Sequence, residues 1–197
     1  MASKATERWR QSQLSALDQL EHAHIALEGS GPGRRFRTEQ LNGAYIVMVA
    51  SQFQMFCRNL HSEAANVMAS AVANPLLRDA VFAAMTQRRW MDQGNADPRN
   101  IGRDFARLSM AFWVQVEALD SRNKSRRTRL RQLNIWRNGY AHQDFDFNPD
   151  DRNIVLETRP TLVYVRIWRR ACDNLVDQFD SAVRSHLTTL TGSTPWA

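Results

Sequence analysis

The chain has 197 residues, 43% hydrophobic and 23% charged, a globular balance with enough length to bury one sizeable core. The opening stretch MASKATERWRQSQ holds no apolar segment of signal-peptide length, and the longest apolar run, residues 44–50, is far short of the ~20 that span a bilayer. A soluble, cytoplasmic protein with no membrane partner is therefore expected. The formal net charge of +6 favours a polyanionic partner, because cations that neutralise phosphates release condensed counterions.

Residues 5–28 carry Trp9, Leu17, Leu20, His24 and Leu27 at steps averaging near 3.6, an amphipathic helix that the glycine-rich stretch 29–33 ends. The basic patch Arg34, Arg35 and Arg37 follows, and Thr38 is placed to cap the next helix. That helix has the clearest pattern in the chain: Leu41, Tyr45, Val49, Phe53 and Phe56 open a three-and-four spacing that continues to Ala71, too long for a strand. Asn74-Pro75 reads as a cap and a first-turn proline opening a shorter helix through Met85. Residues 92–99 read as a loop, and Ile101, Phe105, Leu108, Phe112 and Leu119 as one further helix.

A helix from about 125 to 142 carries Leu130, Leu133 and Trp136 inward, and 145–151 is a turn-rich loop. Residues 153–156 read as a short strand or extended chain, and Pro160 or Thr161 opens the last helix, whose stripe includes Trp168, Cys172, Val176, Phe179, Val183 and Leu187. Cys57 and Cys172 both lie in apolar-periodic stretches and read as core residues. With no internal repeat and no linker, residues 1–197 form one all-α domain. Short connections favour an antiparallel bundle, a four-helix core with added helices.

The excess charge is local: Arg122, Lys124, Arg126, Arg127, Arg129 and Arg131 fall within ten residues that contain no acid. This run is either a solvated helix start or an RNA-backbone contact, in which Lys124, Arg126, Arg127 and Arg129 are the RNA-binding candidates. Just beyond it lies Trp136-Arg137-Asn138-Gly139-Tyr140-Ala141-His142-Gln143. On a helix Asn138 and His142 share a face, Arg137 lies on the adjacent flank, and Gly139 weakens the helix enough to let His142 swing toward Arg137. Histidine, titrating near about 6.5, can move a proton at a 2′-hydroxyl or a leaving 5′-oxygen. Arginine can hold a phosphate and neutralise charge growing on it, while the asparagine amide can donate to the phosphate or orient the imidazole. The bland readings are a histidine favoured by the helix dipole and an Arg137 salt bridge to Asp144 or Asp146.

Arg137, four residues, then His142, with Asn138 directly after the arginine and the motif just before the last long helix, resembles the HEPN (higher eukaryote and prokaryote nucleotide-binding) superfamily. The resemblance implies a HEPN-like bundle and a metal-independent endoribonuclease of toxin or host-defence type. Arg137, Asn138 and His142 would be its catalytic group, with no cofactor and a homodimer as the working unit. The partners it implies are RNA, a second copy of the chain, and a cognate antitoxin or regulatory protein. Many relatives carry an acid midway along the second long helix; here Ser51-Gln52-Phe53-Gln54 stands there, so a glutamine would serve. The alternative function is a non-catalytic module that binds RNA, nucleotide or a protein through the same groove.

Arg58-Asn59-Leu60-His61 is a second polar cluster, with a spacing too short for the motif, and reads as surface. His22 and His24 are two apart on a helix and face different sides, which argues against a metal pair. Trp113, Trp136 and Trp168 sit on apolar stripes and read as core.

Overall fold

The fold is described by a computed structural model covering residues 1–27, 34–155 and 159–196, and every regular element among them is helical. Helix α1 (Lys4–Arg8), a π turn (Trp9–Gln13) and α2 (Leu14–Leu27) form one rod. Then follow α3 (Arg34–Ser70), α4 (Pro75–Thr86), α5 (Trp90–Gln93), α6 (Pro98–Ala106), α7 (Phe112–Leu119), α8 (Asn123–His142), α9 (Pro149–Arg152) and α10 (Leu162–Thr191).

Bonds between helices give their directions. The first rod runs antiparallel to α3, because Lys4 N–H donates to Glu63 (2.9 Å), Gln13 Nε2 to the Gln52 carbonyl (3.1 Å), and His24 Nε2 meets Asn42 Oδ1 (2.8 Å). Likewise α8 opposes α10: Asn123 Nδ2 donates to Gln178 (3.2 Å) near one end and Trp168 Nε1 to Gln132 (3.2 Å) farther along. The start of α3 meets the end of α8 at Gly43 and Tyr140. The four long elements thus alternate in direction, with α4 to α7 filling the crossover from α3 to α8.

Aromatic residues from every layer meet at the centre. Trp9, Phe53, Phe56, Phe112 and Phe179 are at most 2% exposed, and Phe112 stacks on Phe105 at 4.2 Å while meeting Phe179 edge-on at 4.6 Å. Each such pair contributes about 0.5–1.5 kcal/mol beyond the area it buries. Trp113, Trp136 and Trp168 belong to the same core, as do the free thiols Cys57 and Cys172, which burial holds protonated well above the ordinary range.

Several boundaries differ from the sequence expectation. Thr38 lies inside α3, a turn beyond Arg34, and so does not start that helix. The glycine-rich stretch 29–33 lies outside the described residues, as do the side chains of Arg34, Arg35 and Arg37. Residues 101–119 are two helices, not one: the chain turns at Ser109, which has φ 57°, and Met110 N–H returns to the Phe105 carbonyl at 3.3 Å. Apolar spacing survives the break because Ile101, Phe105, Leu108, Phe112 and Val116 all face one core. Residues 153–155 form a turn after α9, with the Ile154 and Val155 N–H groups both returning to the Asp151 carbonyl and no strand pairing there; Leu156 lies outside the described residues. Asn74 and Pro75 do open α4, the Asn74 side chain accepting from Leu76 N–H at 3.0 Å, yet no residue of that helix is fully buried and Leu77 is 52% exposed. Of the two residues offered for the start of the last helix, Thr161 holds the cap position.

The largest correction concerns Arg58 to His61, read as surface: Leu60 and His61 are buried, and Arg58 and Asn59 are half-buried. Arg58 Nε donates to the Met91 carbonyl (3.0 Å) and pairs with Asp92 (2.9 Å), while His61 is fully buried with Nε2 2.9 Å from the Asp104 carbonyl. Asp104 is buried too, and its two oxygens accept the Trp90 and Met91 N–H groups at 2.9 Å each, so it caps α5, whose last two residues fall in the stretch 92–99 expected to be loop. Burial, joined by the nearby Arg89 and Arg107 cations, lowers the His61 pKa from 6.5 to about 4. The unfolded chain takes up this proton near 6.5 and the folded chain only near 4, so stability is full above 6.5 and falls as the pH drops through that window. Replacing His61 with glutamine, which keeps a donor for Asp104 but does not titrate, should remove a loss of about 3 kcal/mol between those limits. Urea unfolding of both proteins across the window measures it; parallel pH profiles would refute the assignment.

Candidate functional site

Helix α8 builds the site. Its inward residues Leu130, Leu133 and Trp136 are at most 2% exposed, which leaves the opposite flanks to the polar residues between them. At its end the helix is unbroken through Gly139 to His142, so the expected swing of His142 does not occur. Gln143 turns the chain in the left-handed region, with φ 54° and ψ 33°. Its N–H and that of Asp144, the latter at 3.0 Å, both return to the Gly139 carbonyl, which satisfies an acceptor the helix end would leave open.

That turn lays Phe145 on Gly139. A Cβ built there would lie 3.0 Å from the Phe145 ring and 3.2 Å from the Asp144 carbonyl, so the glycine makes room for the returning chain rather than loosening the helix. Tyr140 is held from the other side, where a Cβ on Gly43 would stand 2.5 Å from its ring. Trp136, Tyr140, Phe145 and Phe147 form one aromatic cluster with centroids 5.1–6.4 Å apart. Burial raises the Tyr140 phenol above its ordinary pKa, so it is neutral at physiological pH.

Within the motif, the structure brings Arg137 and Asn138 together and leaves His142 apart. Arg137, half-buried, donates from Nη1 to Asn138 Oδ1 at 3.1 Å, and Asn95 Nδ2 donates to the same oxygen at 3.1 Å. His142 is exposed on the last turn, the negative end of the helix dipole. Five residues apart, Arg137 and His142 leave α8 about 140° apart around its axis, on different flanks. Among the described residues Arg137 makes no ion pair with Asp144 or Asp146; its side-chain bond is the one to Asn138.

The basic run divides. Arg126, 8% exposed, turns inward to Asp120 (2.9 Å) and Asn123 Oδ1 (2.6 Å), which makes it a structural cation rather than an open RNA contact. Asp120 is held well below the ordinary carboxylate range by its bonds from Arg122 and Arg126. Arg127 lies over the Trp113 ring at 4.9 Å and pairs with Glu117 at 3.1 Å, and Arg131 reaches Asp151 at 3.3 Å. Lys124 and Arg129 are exposed.

Lys124, Arg127 and Arg131 line an open groove of about 860 Å³ along α8, walled by the α6 start and by α9, with Asn138 at its far end. Arg137, His142 and Arg129 lie outside that lining. Sequence reasoning missed the wall between α5 and α6, taken as plain loop, which carries Asn95. Gln54 holds it down: its Nε2 donates to the Met91 (2.7 Å) and Gly94 (2.9 Å) carbonyls. Neither Gln54 nor Gln52, whose Nε2 sits 3.6 Å from Met48 sulfur, touches the motif. His22 is exposed and His24 buried, so the two do face different sides, and no group of three metal-ligating side chains stands together among the described residues. No helix of the described residues is long and apolar enough to cross a membrane.

No protein-family model, curated protein or solved structure matches this chain.

The Gly43–Tyr140 contact is testable by a double-mutant cycle. Gly43→Ala should destabilise the protein by about 1–3 kcal/mol through overpacking, and adding Tyr140→Ala should relieve most of that loss. Denaturant midpoints of the four proteins give the coupling; strict additivity would mean that the two residues do not meet.

Proposed function

We propose that the chain is a metal-independent endoribonuclease with a HEPN-like fold, acting on RNA through Arg137, Asn138 and His142. The observation that carries this reading is the Arg137–Asn138 pair, bonded at 3.1 Å, with an exposed imidazole one turn farther on at a rigidly capped helix end. The guanidinium has further N–H groups to offer a phosphate, and the Asn138 Nδ2 has no partner among the described residues.

In the proposed reaction the His142 imidazole takes the proton of a 2′-hydroxyl, whose oxygen forms a bond to the adjacent phosphorus while the bond to the 5′-oxygen breaks. The departing 5′-oxygen takes a proton from water, the imidazolium later returns its own proton to solvent, and Arg137 neutralises the charge that grows on the phosphate. The products are a 2′,3′-cyclic phosphate and a 5′-hydroxyl. DNA lacks the attacking group and is inert. Because Arg137 and His142 point to different flanks of one helix, a homodimer that faces two α8 ends together supplies the pairing: the arginine of one protomer with the histidine of its partner. A role in defence, with an antitoxin or regulatory protein as partner, rests on the resemblance alone.

The separation of Arg137 from His142 within a protomer equally suits a non-catalytic module that binds RNA, nucleotide or protein. Cleavage decides between them. In excess chelator the parent should cut mixed RNA to cyclic-phosphate ends, and Arg137→Ala or His142→Ala should lower the rate by about 10²–10⁴-fold with helicity intact. Full activity in either variant, or none in the parent, would sink the ribonuclease reading.

A further inference from the structure

One face outside the motif carries positive charge in excess of its acids. Residues 88–107 hold five arginines and three aspartates, and the aspartates are already engaged. Asp104 is buried beneath the Trp90 and Met91 N–H groups, and Asp97 caps α6 by accepting the Arg99 N–H at 2.8 Å. Asp92 is shared between Arg58 and Arg89, 2.9 Å from each. Arg88, Arg99, Arg103 and Arg107 remain, all exposed and without an ion pair among the described residues.

Three of these four form a stripe. Arg99, Arg103 and Arg107 recur at steps of four along α6 and its cap, about 6 Å apart on the helix axis, comparable to the separation of successive phosphates along one nucleic acid strand. Like charges at this spacing repel, so the stripe is unfavourable until an anion lies along it. Arg107 Nη1 donates to the Gln87 carbonyl at 2.8 Å, which fastens the far end of the stripe to the turn that presents Arg88, itself at φ 53°. At the near end Arg99 stands on the rim of the groove along α8, where Glu117 is taken by Arg127.

Beside the stripe lies an aromatic ring. Arg103 covers Trp90 at 4.6 Å from its centroid, yet Trp90 is 49% exposed and its indole N–H has no acceptor among the described residues. A flat exposed ring among unpaired guanidinium groups suits an unpaired nucleic acid strand: bases stack on such a ring, and the planar forks take phosphate oxygens. An acidic peptide would use the arginines and leave the ring idle, and an anionic bilayer would call for a broad apolar face where there is a single ring. The stripe also adjoins the candidate site, because Asn95, in the turn before α6, donates to the Asn138 oxygen that Arg137 holds.

We propose that Arg99, Arg103 and Arg107, with Arg88 and Trp90, bind the part of a single-stranded RNA that flanks the cleavage position. The substrate class rests on the ribonuclease reading above. Successive phosphates lie along the arginines and one base stacks on the open side of Trp90, which makes the contact tolerant of base identity.

Fluorescence anisotropy with a labelled 2′-O-methyl RNA oligomer, which cannot be cleaved through the 2′-oxygen, tests binding apart from chemistry. Arg103→Ala/Arg107→Ala should weaken binding and lower the slope of log affinity against log salt by roughly 1.4, about 0.7 for each phosphate no longer neutralised. Trp90→Ala should weaken binding by about 5–100-fold with the slope unchanged, and Trp90→Phe should restore most of the loss. All three side chains are exposed, so the variants should keep the helicity and denaturant midpoint of the parent. No binding by the parent, an unchanged slope in the double variant, or parental affinity in Trp90→Ala overturns the proposal. Binding of polyglutamate or phosphatidylserine vesicles in place of RNA overturns it as well. The expected binding pattern without cleavage of ordinary RNA upholds the stripe and fails the ribonuclease reading; cleavage of dilute RNA indifferent to Arg103, Arg107 and Trp90 does the reverse.

Discussion

The close approach of α3 to α8 at Gly43 and Tyr140 is the contact on which the geometry of the site rests. With no side chain on Gly43, the tyrosine ring lies against the α3 backbone, where even a methyl group would overlap it at 2.5 Å. The consequence runs along α8. Tyr140 and Trp136 offer a surface to Phe145 and Phe147, and that surface draws the chain back over Gly139 after the left-handed Gln143. A helix end usually frays; this one is closed by two N–H groups on one carbonyl and by an aromatic cover. His142 is therefore exposed but set on a fixed turn.

Amides, rather than charges, organise the polar side of the helix. Arg137 sets the orientation of Asn138, Asn138 sets that of Asn95, and two backbone carbonyls set Asn134. A carboxylate in any of these places could not donate, and an ammonium could not accept. The wall that carries Asn95 depends in turn on α3, where Gln54 and Arg58 both donate to the Met91 carbonyl and Asp104 caps the turn beneath. Polar residues of the longest helix thus support the groove from behind without entering it. The same division separates the histidines: His24 and His61 are interior bonding groups, whereas His142 faces solvent.

Much of this was legible from residue order. The three-and-four spacing from Leu41 onward, the inward stripe of α8 and the long apolar face of α10 could be read directly, because helical periodicity is a local property of the chain. The capping pair Asn74-Pro75 acts over three residues and was equally plain. Arg137, Asn138 and His142 stood out by type and spacing alone, and their place at the end of α8 followed from the same period.

What residue order did not decide was the partner of each polar group. Arg126 and Arg129 are both cations of one basic run, yet the first meets Asp120 and Asn123 inside the fold and the second meets solvent, because helix phase turns one toward α7 and α10 and the other outward. Arg58 and His61 read as surface since their acceptors, the carbonyls of Met91 and Asp104, are backbone atoms on elements 33 and 43 residues away and leave no mark in the local pattern. The break at Ser109 was hidden for the converse reason: both halves bury the same core, so the spacing continued where the hydrogen-bond ladder did not. The sequence by itself determined which faces of which helices are apolar, since burial of those faces drives the assembly. Only the tertiary structure decided which polar atoms are satisfied and which are left facing the groove, since that depends on backbone groups brought together from distant parts of the chain.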